Sequence, residues 1–267
     1  MITALDHIAV AVRDFEASVD AYRRLLGREP ALEPRDGADR AWFHVPNMAL
    51  EVIAPSGAGP AGDRVRARLE AAGEGQWIAA FQVDDLDASA RLLSRRGLEV
   101  ERVATVARVK AAGLDFVLTP GRIGAQPSPP TATEAAAVSA LDHVVVNTPN
   151  ADRALGLYGA KFGLDLRLDR ANEQWGARQL FFRCGGAVFE VGASLKGPVN
   201  NEPDRFGGLA WQVSDPEAAQ ARIAAAGFDV SEVRTGRKPG TKVFTVRDAP
   251  GGTPTLMLMP SPQLEAA

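Results

Sequence analysis

Ala4-Leu5-Asp6-His7-Ile8-Ala9-Val10-Ala11-Val12 opens this chain, and Ala140-Leu141-Asp142-His143-Val144-Val145-Val146-Asn147 opens its second half. Each copy is an apolar, β-rich run that leads into an amphipathic helical stretch. Two further echoes follow. Ala49-Leu50-Glu51-Val52 returns as Val188-Phe189-Glu190-Val191, and Phe81-Gln82-Val83-Asp84-Asp85 returns as Trp211-Gln212-Val213-Ser214-Asp215. The chain is a duplication, and a repeat governs every later reading. Its 267 residues suffice for two cores of about 130 residues each.

Working outward, residues 5–12 read as a strand and Asp14 caps a helix through Leu26, stopped by Gly27. β-patterned pieces follow at Arg40-Val45 and Ala49-Ile53, then a short extra helix over Asp63-Ala72. The second unit has a strand at Ile78-Val83, a helix from Asp85 to Gly97, and strands at 98–103, 105–109 and 114–118. The third has Thr148 as helix cap with Pro149 in the first helical position. Its helix stops at Gly163, and strands at 164–168, 178–183 and 187–191 lead to a polar loop, Gly197-Gly208. The fourth runs from Leu209 through a helix begun by Ser214-Asp215-Pro216 to strands at 228–233, 242–246 and 255–259. Strand, helix, three strands thus recurs four times. The expected fold is α+β, with domains 1–120 and 138–262, each of two βαβββ units. Between them the aperiodic Gly-Pro-Ala-Ser-Thr stretch 121–137 reads as a linker, exposed and mobile.

Composition narrows the function classes. Apolar residues make up 46% and charged residues 24%, and 30 basic against 33 acidic side chains give a net charge of −3. No basic tract marks a nucleic-acid partner, and no apolar run approaches the ~20 residues of a membrane span. The amino terminus enters a strand almost at once, so no signal peptide is expected. Cys184 is the single cysteine, which fits a cytoplasmic protein; its role is left open. Arg91, Arg95, Arg96 and Arg102 read as a solvated face. Four units can complete two cavities in one chain, so a monomer suffices, while alanine-rich helices and edge strands leave a homodimer open.

The four units, with the repeated His and Glu, resemble the vicinal oxygen chelate superfamily, which includes glyoxalase I, methylmalonyl-CoA epimerase, extradiol dioxygenases and bleomycin-resistance proteins. The resemblance covers roughly residues 4–120 and 140–260. It implies two glyoxalase-like cupped sheets, each around a cavity, and a divalent metal held by His and Glu from strand positions of paired units. In the first half those positions fall on His7, Glu51, Ile78 and Val117; in the second, on His143, Glu190, Gly208 and Leu256. Each half keeps two ligand-type residues and lacks two. A divalent iron, manganese, zinc or nickel ion and a metal-free site are therefore equally open. His44 and Asp115 are the remaining candidates to complete a first-half site.

The carboxy-terminal cavity is the expected working one. Glu190 would serve as base or metal ligand and His143 as its partner; the same roles fall less readily on His7 and Glu51. Gly208 leaves room there, and Asn147, Asn172, Trp175, Asn200, Asn201 and Gln212 supply amide and indole groups to orient an oxygen-bearing ligand. A structural reading stands beside this one: each His-Glu pair satisfies two polar groups inside an apolar cavity. The expected function is an isomerase, lyase or dioxygenase acting on a small oxygenated or aromatic compound. The alternatives are a metal-free binding protein of the bleomycin-resistance type and a structural module with degenerate cavities.

Overall fold

The computed structural model describes residues 1–121 and 126–261. Linker positions 122–125 and the expected domain end at 262 lie outside the described residues. The first unit is β1 (Ile2–Ala11), α1 (Phe15–Leu26), β2 (Ala31–Leu32), β3 (Ala38–Val45) and β4 (Met48–Pro55), followed by α2 (Pro60–Ala72). The second is β5 (Gly75–Val83), α3 (Leu86–Arg95), β6 (Glu99–Val103), β7 (Val106–Ala111) and β8 (Leu114–Thr119). The third is β9 (Val138–Thr148), α4 (Ala151–Ala154) running on into a π-helical segment (Leu155–Lys161), β10 (Asp165–Asn172), β11 (Ala177–Cys184) and β12 (Ala187–Ser194). The fourth is β13 (Arg205–Val213), α5 (Pro216–Ala225), β14 (Arg234–Thr235), β15 (Lys242–Val246) and β16 (Thr255–Met259).

Hydrogen bonding joins these into two eight-stranded mixed sheets of matching order, β2-β3-β4-β1-β5-β8-β7-β6 and β10-β11-β12-β9-β13-β16-β15-β14. The tandem βαβββ architecture is the observed one. Its helix starts follow local chemistry: Asp14, Asp85 and Asp215 each accept a backbone N–H three residues on, which satisfies one of the donors a helix leaves orphaned at its start. α1 ends where Gly27 turns left-handed at φ +67°, a conformation glycine adopts without Cβ strain.

Three boundaries differ from expectation. Asn150, not Thr148, caps the third-unit helix, its side chain accepting from Arg153 N at 2.9 Å. The Thr148 hydroxyl instead accepts from Asn150 N at 3.1 Å, so the local turn is spent before the helix begins. The strand expected at 228–233 reduces to one bridge, Val230 to Val246, and β13 starts at Arg205 inside the expected loop. No described helix is long and apolar enough to cross a membrane.

Contact density defines two compact units. One combines Met1–Ile8, the stretch beginning at Trp77, and His143–Gly207; the other combines Ala9–Gln76, the stretch ending at Asp142, and the chain from Gly208 onward. The first is centred on aromatic side chains. Phe81 lies 5.4 Å from Phe162 and from Phe189, and Tyr158 lies 5.8 Å from Phe189.

In the second compact unit the described part of the linker is mostly exposed, as expected, yet it is fastened at its two ends. Ser128, Ala136 and Ala137 are buried. Arg28, 4% exposed, donates to Ser128 O at 2.8 Å and to Val138 O, and pairs with Glu134 at 3.1 Å. Ser128 also exchanges backbone hydrogen bonds with His44 through its amide and hydroxyl. Arg222 ties Ala136 O to the last carbonyls of α1. Composition marks this stretch as aperiodic, but two guanidinium groups located elsewhere in the chain, buried Arg28 and half-buried Arg222, pin it down.

Candidate functional site

The second-half pair is formed. His143 Nε2 lies 3.3 Å from Glu190 Oε2, and Gln179 Nε2 donates to Glu190 Oε1 at 2.6 Å. Strand register puts the three together. The Gly185-Gly186 turn sets Cys184 opposite Ala187, so Phe181 falls opposite Glu190 and Gln179 opposite Gly192. β12 then pairs in parallel with β9, placing Val188 beside His143, Glu190 beside Val145 and Gly192 beside Asn147. Successive side chains alternate between faces. Phe182 and Phe189 are buried against Tyr158 of the π-helical segment, so Gln179, Glu190 and His143 occupy the face turned away from that helix. All three are half-buried.

The other expected ligand-binding residues separate. Asn147 is exposed on the same face, and a Cβ on Gly207 would meet its Nδ2 at 2.6 Å. Asn172 accepts from Trp175 N at 3.0 Å and fixes the β10–β11 turn. Trp175, 40% exposed, carries the Arg170 guanidinium 4.8 Å above its ring. Asn200 accepts from Glu202 N within its own loop, and Asn201 accepts from Asn150 Nδ2, which ties that loop to the cap of α4. Gln212 Nε2 is engaged with Asp142 Oδ2 at 2.9 Å.

Gly208 plays a different part from the one expected. Its φ is +136° and an added Cβ would stand 2.3 Å from Pro254 O. The missing side chain permits close backbone packing rather than opening a ligand space. Gly208→Ala is therefore expected to destabilise the fold by about 2 kcal/mol, read as a lower urea midpoint with an unchanged slope.

The first-half residues are arranged otherwise. Glu51, 3% exposed, lies opposite Trp42 and pairs with Arg40 Nη1 at 3.2 Å. Arg40 sits opposite Ile53, the register position that Gln179 holds relative to Glu190. One copy thus gives its carboxylate a permanent cation, and the other gives it a neutral amide. His7 Nδ1 lies 2.6 Å from Asp6 Oδ2. His44 shares the Glu51 strand face and stacks on Trp42, with centroids 6.4 Å apart. Asp115, opposite Ile78, accepts from Trp77 Nε1 at 2.8 Å, and Leu256 stands beside Ala210.

Among the described residues no group of three or more His, Cys, Asp or Glu is placed to hold a metal ion. His143 and Glu190 offer two protein donors, short of the three a catalytic zinc takes, and one Glu190 oxygen already accepts from Gln179. The donor set does not fit a complete metal centre.

Cys184 is buried on the helix side of β11. Burial pushes its thiol up to about 12, so the thiolate that alkylation requires is absent at neutral pH. Iodoacetamide at pH 8 is expected to leave the native chain unmodified and to label it in urea. Because the folded value lies above the ordinary 9, the unfolded chain loses this proton first as pH rises. Cys184 therefore lowers stability from pH 9 toward about 12.

Four βαβββ units in two mixed sheets, with a His on the opening strand and a Glu on the fourth strand of each half, define a tandem protein of the paired-βαβββ class. The chain belongs to the glyoxalase/bleomycin resistance protein/dioxygenase superfamily, whose family model matches residues 6–118 and 142–245. It is similar in fold to a substituted 4-hydroxymandelate synthase from Streptomyces coelicolor, with TM-score 0.75 and 17% identity over 97% of this chain and 93% of that one. A halotolerant catechol dioxygenase gives TM-score 0.70 and 11% identity over 97% and 87%. A stretch of 62 residues, 22% of this chain, is 40% identical to an ethylmalonyl-CoA/methylmalonyl-CoA epimerase of Cereibacter sphaeroides. The match spans 46% of that relative's length.

Proposed function

We propose that the protein is an enzyme of the isomerase or lyase type that moves a proton on a small oxygenated compound, with Glu190 as the base and His143 as its partner. The observation that carries this reading is the exchange of Arg40 for Gln179 between the two copies. Glu51 is held by a guanidinium at 3.2 Å. Glu190 is held by an amide at 2.6 Å and an imidazole at 3.3 Å, which orient it without committing its charge to a fixed cation. A C–H proton of the substrate passes to Glu190, and the electron pair moves into an adjacent carbonyl. The same carboxyl or His143 then returns a proton to carbon. Gln179 aims the carboxylate, and precise aim is a large part of proton-transfer catalysis. The name of the epimerase relative is in line with such chemistry.

The test is solvent deuterium. A panel of small carbonyl and carboxyl compounds incubated with the protein in D₂O should yield members that exchange a C–H only when protein is present. Exchange that survives intact in Glu190→Gln, or oxygen uptake on adding iron(II), would contradict the assignment. A second reading is favoured by both Glu190 oxygens having partners: a binding protein whose pair is already satisfied. Saturable binding of a panel member with no exchange would select it.

A further inference from the structure

Resting on the assignment of Glu190 and His143 as the working pair, we infer that the substrate is a small organic carboxylate with an aromatic or apolar body, its anionic end received by Arg170. The strands β10, β11, β12 and β9 of this face align in rows, with β10 at the sheet edge. Arg170, Gln179, Gly192 and Asn147 form one row, and Leu168, Phe181, Glu190 and Val145 form the next. Arg170 is exposed and makes no ion pair among the described residues, whereas Arg167 and Arg178 of the same hairpin pair with Asp165 and with Asp152 and Asp169.

What holds Arg170 is Trp175. Its guanidinium lies 4.8 Å over the indole, and the Asn172–Trp175 hydrogen bond fixes the turn carrying that ring. Stacking occupies the flat face of a guanidinium and leaves its N–H edge free, the geometry that takes a carboxylate through two parallel hydrogen bonds. Arg183, in line with Val188 and His143, stands opposite Asp165 of β10 and bonds Gly185 O at 3.5 Å, while Asp165 itself pairs with Arg167. Arg170 therefore keeps a charge free to meet an anion, since the residue opposite it is Gln179 rather than an acid. Between Arg170 and Glu190 lie Leu168, 45% exposed, and Phe181, an apolar seat for the body of the ligand. The substrate's charge is thus held at Arg170, one row away from the base.

The experiment compares phenylacetate with its neutral isostere phenylacetamide by calorimetry or ligand-observed NMR, on the full chain and two variants. The acid should bind about tenfold more tightly than the amide, and Arg170→Gln should bring the ratio close to one at an unchanged melting temperature. Glu190→Gln should keep or enlarge the ratio, since it removes a like charge. Equal affinity for acid and amide, no binding of the acid, or a preference that persists in Arg170→Gln would each overturn the inference. The two proposals fail separately. Loss of the acid preference with deuterium exchange intact removes Arg170 from recognition alone, while a retained preference without exchange removes only the chemistry.

Discussion

Arg28→Ala should lower the stability of the protein by about 3–4 kcal/mol, the range for hydrogen bonds from a charged donor whose acceptors are left buried. The side chain is 4% exposed and serves Ser128 O, Val138 O and Glu134 at once. Truncation strands two carbonyls and releases the stretch that enters β9, the strand carrying His143. Arg28→Lys keeps the charge but loses the planar fork, so it should recover less than half of the loss. Limited proteolysis gives the second readout. In the native protein 128–138 should resist a dilute protease, because its backbone is bonded to Arg28, His44 and Arg222; in Arg28→Ala it should be cut early. Cleavage between Ser128 and Val138 at equal rates in both proteins would contradict the role of Arg28 in fastening the linker. The division into domains 1–120 and 138–262 is itself a proposal. It would be supported by separate expression of the two halves as folded species and opposed by their failure to fold apart.

The second large effect is on chemistry. Glu190→Gln should reduce proton exchange by about 10²–10⁴-fold, the contribution of a positioned general base, with little change in melting temperature because the glutamine can still bond Gln179 and His143. Glu51→Gln should do the reverse. It breaks a buried ion pair with Arg40, should cost about 1–3 kcal/mol of stability, and should leave exchange within a fewfold of wild type. Gln179→Arg, which copies the first-half arrangement into the second, should slow exchange as well, by setting a fixed cation beside Glu190.

The fold was legible because duplication is. His7 with His143 and Glu51 with Glu190 recur with flanking apolar runs at equivalent positions, and glycine stops close the intervening helices. The pairing of His143 with Glu190 was legible for the same reason. Gln179 and Arg170 were not, because both acquire meaning only through register across a hairpin. The two-residue Gly185-Gly186 turn was the available signal: counting outward from it sets Phe181 against Glu190 and Gln179 against Gly192. The same count from Pro46-Asn47 sets Arg40 against Ile53 and exposes the Arg-to-Gln exchange. Gly208 misled for a different reason. A glycine at a ligand position looks like empty space in one dimension, whereas its φ and the nearby Pro254 carbonyl are facts of three-dimensional packing. The fastening of the linker was not legible because its anchors, Arg28 and Arg222, lie about 100 residues upstream and 86 residues downstream of the atoms they hold.

Glu190 puts the proposed working surface on the face of the second sheet turned away from the π-helical segment. The most direct measurement is amide chemical-shift mapping on isotopically labelled protein, titrated with phenylacetate or with any compound that the deuterium screen selects. The largest shifts should cluster at Arg170, Gln179, Phe181, Glu190 and Asn147. Shifts centred instead on Trp42, Glu51, Ile78 and Val117 would place the ligand on the first sheet and contradict it.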